Sequence, residues 1–281
     1  MRITDHKPTD LDSLKEQIGK HYQELSTRLQ QVANFVNNEP MIVAVETMST
    51  IAKKANVPLS TLSRFSNAMG FDGFSSMQTL FKEQYLNQPK DYRERIKKIW
   101  SEGGKEENSP QMIFNDFGNE LIGALENFHS SVSPQKLERA VTLIKNAETV
   151  YIDGVRRAYP VAFYLRYALM KSGKDTVILE QAGGMSKMYS KKMGEKDILI
   201  AVTYSPYAPE TTDIINYASE KNVPIIGITD NQLTSNSNKI DVCFEVHEGE
   251  LMGFRSLNCS MYLAQVLVVS YISQEIDQSK V

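Results

Sequence analysis

Apolar residues recur three and four positions apart near the start of the chain. They come first as Leu11, Leu14, Ile18 and Leu25, then as Leu29, Val32, Ala33 and Val36. That spacing predicts amphipathic helices on either side of Ser26. Pro40 breaks the pattern, and a short apolar stretch, Met41–Val45, follows. Thr47 is placed to cap a helix running to Ala55, with Met48, Ile51 and Ala52 facing inward. Asn56–Val57 reads as a tight turn. Pro58 suits the first position of the next helix, where its missing N–H is not needed, and Gly70 suits that helix's end. A last helix is expected over Phe74–Leu86, and no β-rich segment precedes residue 87.

Residues 111–281 alternate instead. Helices over Met112–Ser130 and Pro134–Asn146 are expected before a strand, Thr149–Asp153. A helix (Tyr159–Ser172), a strand (Thr176–Glu180), a short helix (Met185–Met193) and a strand (Asp197–Thr203) come next. The pattern continues with a helix over Pro209–Lys221, a strand over Pro224–Thr229, a short helix near Gln232–Asn238 and a strand over Asp241–Val246. A long helix, Phe254–Gln274, closes the chain. The strands are apolar runs, as in a sheet covered on both faces. Strands separated by helices imply right-handed crossovers and a doubly wound parallel sheet. Ligands of such sheets bind at the carboxyl ends of the strands.

Between the two halves, NQPKDYRERIKKIWSEGGKEENSP mixes six basic with five acidic side chains, and Gly103–Gly104 and Pro110 break any helix. It reads as a linker whose part Asp91–Trp100 is helical. The expected division is a helical domain over 1–86, a linker over 87–110 and a second domain over 111–281. A length of 281 residues suits two domains. With 41% apolar and 23% charged residues, wholesale disorder is excluded. The net charge of −3 excludes a strongly basic coat but leaves room for a local patch. No apolar run approaches the roughly 18–20 residues of a membrane helix, and Met1–Asp10 has no apolar signal segment. No membrane partner is expected, and a cytoplasmic location is. Cys243 and Cys259 are then expected as free thiols. His6, His21, His129 and His247 are scattered and form no zinc pattern, so no metal or cofactor is expected.

Met48–Met69 fits a helix, a short turn and a second helix. Ala52 is small where the helices cross, Val57 plugs the turn, and Leu62, Phe65 and Met69 form one inward face. Ser60, Thr61, Ser63, Arg64 and Asn67 are left toward solvent. Such side chains reach base edges and phosphates when a recognition helix lies in the major groove. With Lys53 and Lys54 they are the candidate DNA contacts. From Thr50 to Lys82, Lys53, Lys54, Arg64 and Lys82 stand against Asp72 alone, a local charge of +3. By spacing alone, an ordinary helical hairpin with a solvated polar face fits as well.

The run from Val57 to Phe74 (VPLSTLSRFSNAMGFDGF) closely resembles the DNA-binding domain of the RpiR family of bacterial regulators. There a Val-Ser-x-x-Thr-x-x-Arg-Phe segment precedes Gly-Phe-x-Gly-Phe. Thr61, Arg64, Phe65, Gly70, Phe71, Gly73 and Phe74 match, while Pro58 replaces the helix-capping Ser. The resemblance covers residues 10–86. It implies a second domain of the sugar-isomerase (SIS) type. The whole chain is then an all-α helix-turn-helix domain joined to an α/β domain with a five-stranded parallel, flavodoxin-like sheet. The family's phosphosugar loop, Ser-x-Ser-Gly-x-Thr-x-Glu, falls here on Thr203, Ser205, Pro206, Ala208 and Glu210. Its Gly-x-Gly-x-Ser loop falls on Gly154, Val155, Arg156, Arg157 and Ala158.

These departures change the chemistry. A phosphate at a helix N-terminus is held by backbone N–H groups and small hydroxyls. Pro206 has no N–H, and Ala158 and Ala208 have no hydroxyl. Arg156 or Arg157 can supply bidentate donors instead. The expected ligand is therefore small, acidic and carbohydrate-derived, such as a sugar acid or keto acid. It would lie between Gly154, Arg156 and Arg157 on one side and Thr203, Tyr204, Ser205, Tyr207, Ala208 and Glu210 on the other. The alternative places both arginines in solvent or at a subunit interface. Gly183–Gly184 either lets a ligand approach or simply turns the chain. Tyr159, like Tyr204 and Tyr207, either stacks on the ligand or packs. Arg255 and Ser256 are expected to open the last helix, a weaker anion site. Glu210, Glu250 and His247 are the candidates for acid–base chemistry, but no catalytic constellation or nucleophile motif is present. The resemblance implies a non-enzymatic regulator of carbohydrate (sugar, sugar-acid or polyol) catabolism. It would bind a double-stranded operator as a homodimer or homotetramer. A SIS-fold sugar-phosphate isomerase with an accessory helical domain, and a helical adaptor, are the alternatives.

Overall fold

A computed structural model describes residues 7–85, 92–103, 109–180, 182–205, 207–230 and 239–278. The helix expected near Gln232–Asn238, Pro206 of the loop and parts of the expected linker lie outside them.

The N-terminal unit is helical: α1 (Leu11–His21), α2 (Thr27–Asn38), α3 (Pro40–Val45), α4 (Met48–Lys54), α5 (Leu59–Ala68) and α6 (Phe74–Tyr85). Asp10 caps α1, its Oδ1 accepting from the Ser13 N–H at 2.8 Å. Thr47 caps α4 through the Thr50 N–H, as its sequence position implied. The apolar stretch Met41–Val45 belongs to a helix, because Pro40 both stops α2 and starts α3 with its fixed φ. Asn56 takes a positive φ of 52° in the turn before α5. Pro58 stands one residue outside α5, not at its first position. Its carbonyl accepts the Thr61 N–H, and it brings no side-chain cap. The core holds Leu14, Ile18, Val32, Val36, Ile51, Leu62, Phe65, Met69, Phe71, Met77 and Phe81. Helix α7 (Tyr92–Gly103) extends the helix expected over Asp91–Trp100. One compact unit runs to Lys97 and the other begins at Lys98, inside α7.

After α7 come α8 (Pro110–Ser131) and α9 (Pro134–Asn146) of the C-terminal unit, each capped by a serine before a proline. There follow β1 (Val150–Asp153), α10 (Tyr159–Lys171), β2 (Thr176–Ile178), α11 (Met185–Ser190), β3 (Ile198–Thr203), α12 (Pro209–Glu220), β4 (Ile225–Thr229) and β5 (Val242–Glu245). Strands β1 to β5 form one parallel sheet in the order β2-β1-β3-β4-β5. Its order changes direction between β1 and β3, the switch point where such sheets bind ligands. Even-numbered strand residues such as Ile152, Ile200 and Ile226 pack with α9, α10 and the last helix, α13 (Asn258–Gln278). Odd-numbered ones such as Tyr151, Leu199 and Ile225 pack with Ile214 and Ile215 of α12.

The end of the chain differs from expectation. Phe254 and Arg255 are not helical. Strands β6 (Glu250–Leu251) and β7 (Phe254–Arg255) form an antiparallel hairpin, and α13 starts only at Asn258. Met252 and Gly253 turn that hairpin with positive φ at both positions. Phe254 and Leu257 continue the apolar spacing of α13, which hid the turn from a reading of periodicity.

Gln78 of α6 ties α3 into the N-terminal unit. Its buried Nε2 donates to the Val43 and Glu46 carbonyls at 2.9 and 2.8 Å. Gln78→Ala leaves both carbonyls without that donor and is expected to cost about 2 kcal/mol. Urea denaturation checks this, and an unchanged midpoint would show that water replaces the amide.

Candidate functional site

Helix α5 packs against α2, α4 and α6. Three neighbours leave only a narrow open stripe. Ser60, Arg64 and Asn67 lie along it at helical spacing and are exposed, with Ser63 half-buried beside them. Lys53 and Lys54 are exposed at the end of α4, and Lys54 lies 3.3 Å from the Glu46 carboxylate. Thr61 does not face solvent: it is fully buried. It shares the inward face with Phe65 and Ala68, four and seven residues on. Its hydroxyl accepts from Arg64 Nη2 at 3.3 Å, so it can steer the arginine but not touch DNA.

In the C-terminal unit the two expected loops meet at the switch point. Gly154 is buried against α10: a Cβ there would lie 2.9 Å from the Ala162 Cβ and 3.1 Å from the Ala158 carbonyl oxygen. Close packing alone therefore calls for glycine. Arg156 occupies the second glycine position of the resemblance and takes a positive φ of 54°, so the loop keeps a backbone shape that favours glycine. Its Nη2 lies 3.6 Å from Glu210 Oε2 at the start of α12. Arg157 is half-buried. Its guanidinium stacks 4.4 Å from the centre of the Tyr204 ring, and Nη1 donates to the Ser256 carbonyl at 3.2 Å. Burial first, and the Arg255 charge second, lower its pKa. Tyr204 is itself buried, its hydroxyl hydrogen-bonded to Ser260 Oγ, which makes it a packing residue. Burial is the main reason that its phenol pKa is raised.

Several donors at this edge already have acceptors within the chain. The Ser205 N–H and the Tyr207 hydroxyl both donate to Asp230, each at 2.9 Å. The N–H groups of Cys259 and Ser260, in the first turn of α13, donate to Glu248 at 3.0 and 2.9 Å, as does Ser256 Oγ. A carboxylate of the chain thus fills this helix start, which removes it as the weaker anion site. Arg255 lies on β7, donates to Glu250 Oε2 at 2.7 Å and to the Ser205 carbonyl at 3.2 Å, and approaches Asp230. Thr203 ends β3 half-buried, and Ala208 is buried before α12. Gly183 and Gly184 take positive φ in the turn before α11, as a turning pair does. The Tyr159 hydroxyl donates to Glu180.

No motif in the sequence marks Asp153, Asp230 or Glu248 as a site residue. A charged residue at the carboxyl end of an apolar parallel strand was the available signal for the first two. Glu248 carried none. Asp153 is fully buried, and neither carboxylate oxygen has a hydrogen-bond partner among the described residues. Burial pushes its pKa up to about 6; the nearby Thr211 hydroxyl opposes this and the Glu210 charge adds to it. His247 lies elsewhere, on a cleft of about 350 Å³ with Glu120, Asn127, Glu245 and Glu248, its Nε2 3.3 Å from Glu245. Among the described residues no His, Cys, Asp and Glu cluster could hold a metal ion, and no helix is long and apolar enough to cross a membrane. Both cysteines are free.

Comparison with known proteins gives the two halves separate matches. The helix-turn-helix domain of the rpiR family matches residues 12–88, and the SIS domain matches residues 143–272. The HTH-type transcriptional regulator HexR of Pseudomonas aeruginosa is 20% identical over 224 residues, 78% of this chain and 74% of HexR. The uncharacterized regulator YbbH of Bacillus subtilis is 23% identical over 245 residues, 86% and 82% of the two chains. NanR of Vibrio vulnificus, complexed with ManNAc-6P, has the same fold with a TM-score of 0.58 at 19% identity, covering 95% of this chain and 94% of NanR. The sugar isomerase domain of an RpiR transcription factor from Sphaerobacter thermophilus gives 0.54 at 21% identity, covering 60% of this chain and 99% of that one.

Asp153 sets a pH dependence. Its pKa rises on folding from 3.8 to about 6, so this carboxyl weakens the fold as pH climbs through that window. The penalty is complete above pH 6 and amounts to at most about 3 kcal/mol. Asp153→Asn is expected to remove this slope and to leave the protein more stable than wild type at about pH 7.5. Urea denaturation at about pH 4.5 and about pH 7.5 checks it; parallel pH dependence in the two proteins would refute it.

Proposed function

The chain belongs to the rpiR family through its helix-turn-helix domain, which it joins to a SIS domain, and on that premise we propose that it is a DNA-binding transcriptional regulator controlled by a small-molecule effector. The observation that carries the DNA reading is the exposed stripe Ser60, Arg64 and Asn67 on α5, with Lys53 and Lys54 beside it on α4. A recognition helix in the major groove reads base edges with such side chains. The regulators among its relatives support the same role.

The effector reading rests on the carboxyl edge of the sheet and finds support in NanR, which was solved with ManNAc-6P. We place the effector in carbohydrate catabolism and give it an acid group. Arg157 is the better anchor, since its partly buried guanidinium has donors beyond the one given to Ser256. Arg156 must first leave Glu210. Binding shifts the balance between arrangements of the DNA-binding domains in a homodimer or homotetramer. It can do so only through different affinities for the two arrangements. Two of the candidate bases for sugar isomerisation, Glu210 and Glu250, are paired with Arg156 and Arg255. That favours sensing over turnover.

Fluorescence anisotropy with the duplex upstream of the chain's own gene and a scrambled control tests the role. Preference for the upstream duplex is expected. Arg64→Ala is expected to weaken that complex by about 10- to 100-fold. Equal, steeply salt-dependent affinity for both duplexes would leave only a charged patch.

A further inference from the structure

Asp153, Thr211 and Thr229 each bury a polar side chain that has no hydrogen-bond partner among the described residues. Their placement is not scattered. Asp153 ends β1, Thr229 ends β4, and Thr211 lies in the first turn of α12. Odd-numbered strand residues face α12, where Tyr151, Leu199, Ala201 and Ile225 pack with Ile214 and Ile215. Strand register pairs Asp153 with Ala201 and Thr203 with Thr229. Asp153, Thr203 and Thr229 therefore continue this one face to the carboxyl edge, at the end of the sheet where ligands of doubly wound folds bind. A buried carboxylate with only the nearby Thr211 hydroxyl to oppose its burial is costly. The exposed Arg156–Glu210 pair joins the β1 loop to the α12 turn beside it, and contacts of this kind open easily.

We propose that Asp153 is the specificity-determining acceptor of the effector site, taking adjacent hydroxyls of a polyhydroxylated carboxylic acid while Glu210 releases Arg156 to admit it. The inference rests on the reading that the SIS domain holds an effector. An ionised carboxylate only accepts, and its two oxygens match two neighbouring hydroxyls at once. Thr211 adds a third contact, and Arg157 takes the acid end. A phosphate dianion at this edge faces Asp153, Glu210 and Asp230, and two of the donors it would use already serve Asp230 and Glu248.

Isothermal titration of the full-length protein with gluconate, glucuronate, glucose, glucose 6-phosphate and inorganic phosphate tests this. At least one hydroxylated carboxylic acid should bind, and inorganic phosphate should not. Asp153→Asn should weaken that binding at least about tenfold, and Thr211→Val should weaken it less. Three results would overturn the proposal: equal affinity in Asp153→Asn, which leaves Asp153 to internal water only; a response to phosphate alone; or no response to any probe. Operator binding by the wild-type protein, measured in parallel, separates failure of this inference from failure of the regulator reading.

Discussion

A helix begins with backbone N–H groups that have no partner inside it, and the carboxyl edge of a parallel sheet gathers helix starts in one place. In the C-terminal unit, carboxylates of the chain itself meet several of these donors. Glu248 holds the first turn of α13, and Asp230 holds the Ser205 N–H in the loop before α12. Arg255 links the two, because it lies on the hairpin between β5 and α13 and reaches the Ser205 carbonyl. Arg157 then lies over the ring of Tyr204, whose hydroxyl is anchored to Ser260 of α13. The position of each loop follows from these internal ion and hydrogen bonds.

Capture of this kind changes what the edge can recognise. A helix start with open N–H groups suits a phosphate. A helix start closed by an internal carboxylate does not, and its surroundings carry added negative charge. Arg156 holds a left-handed backbone, with φ 54°, and brings a guanidinium to the loop. The sheet is thus that of a SIS domain, while its carboxyl edge carries paired guanidinium and carboxylate groups.

The N-terminal unit answers a different constraint. A ten-residue helix, α5, must be held by three others and still present side chains outward. Burial of Thr61, Leu62, Phe65, Ala68 and Met69 does the holding. What remains open is one line of residues, and Thr61 contributes by receiving Arg64 rather than by facing outward.

Much of this was legible in the residues. Apolar spacing predicts the helices α1 to α6 except the short α3, and alternating runs predict the five parallel strands. The run from Val57 to Phe74 lies within the helix-turn-helix domain that the rpiR family model matches. Other features came into view only in three dimensions. The hairpin at Glu250–Arg255 was hidden by apolar positions that continue the period of α13. The burial of Thr61 depends on the helices packed around α5. Asp230 accepts from the backbone of a residue 25 positions before it, and Glu248 from one 12 positions after it. The sequence by itself determined the elements and the family, because periodicity and turn chemistry act over a few residues. Only the tertiary structure decided which donors remain for a ligand, because pairing at the sheet edge depends on residues that the crossovers bring together.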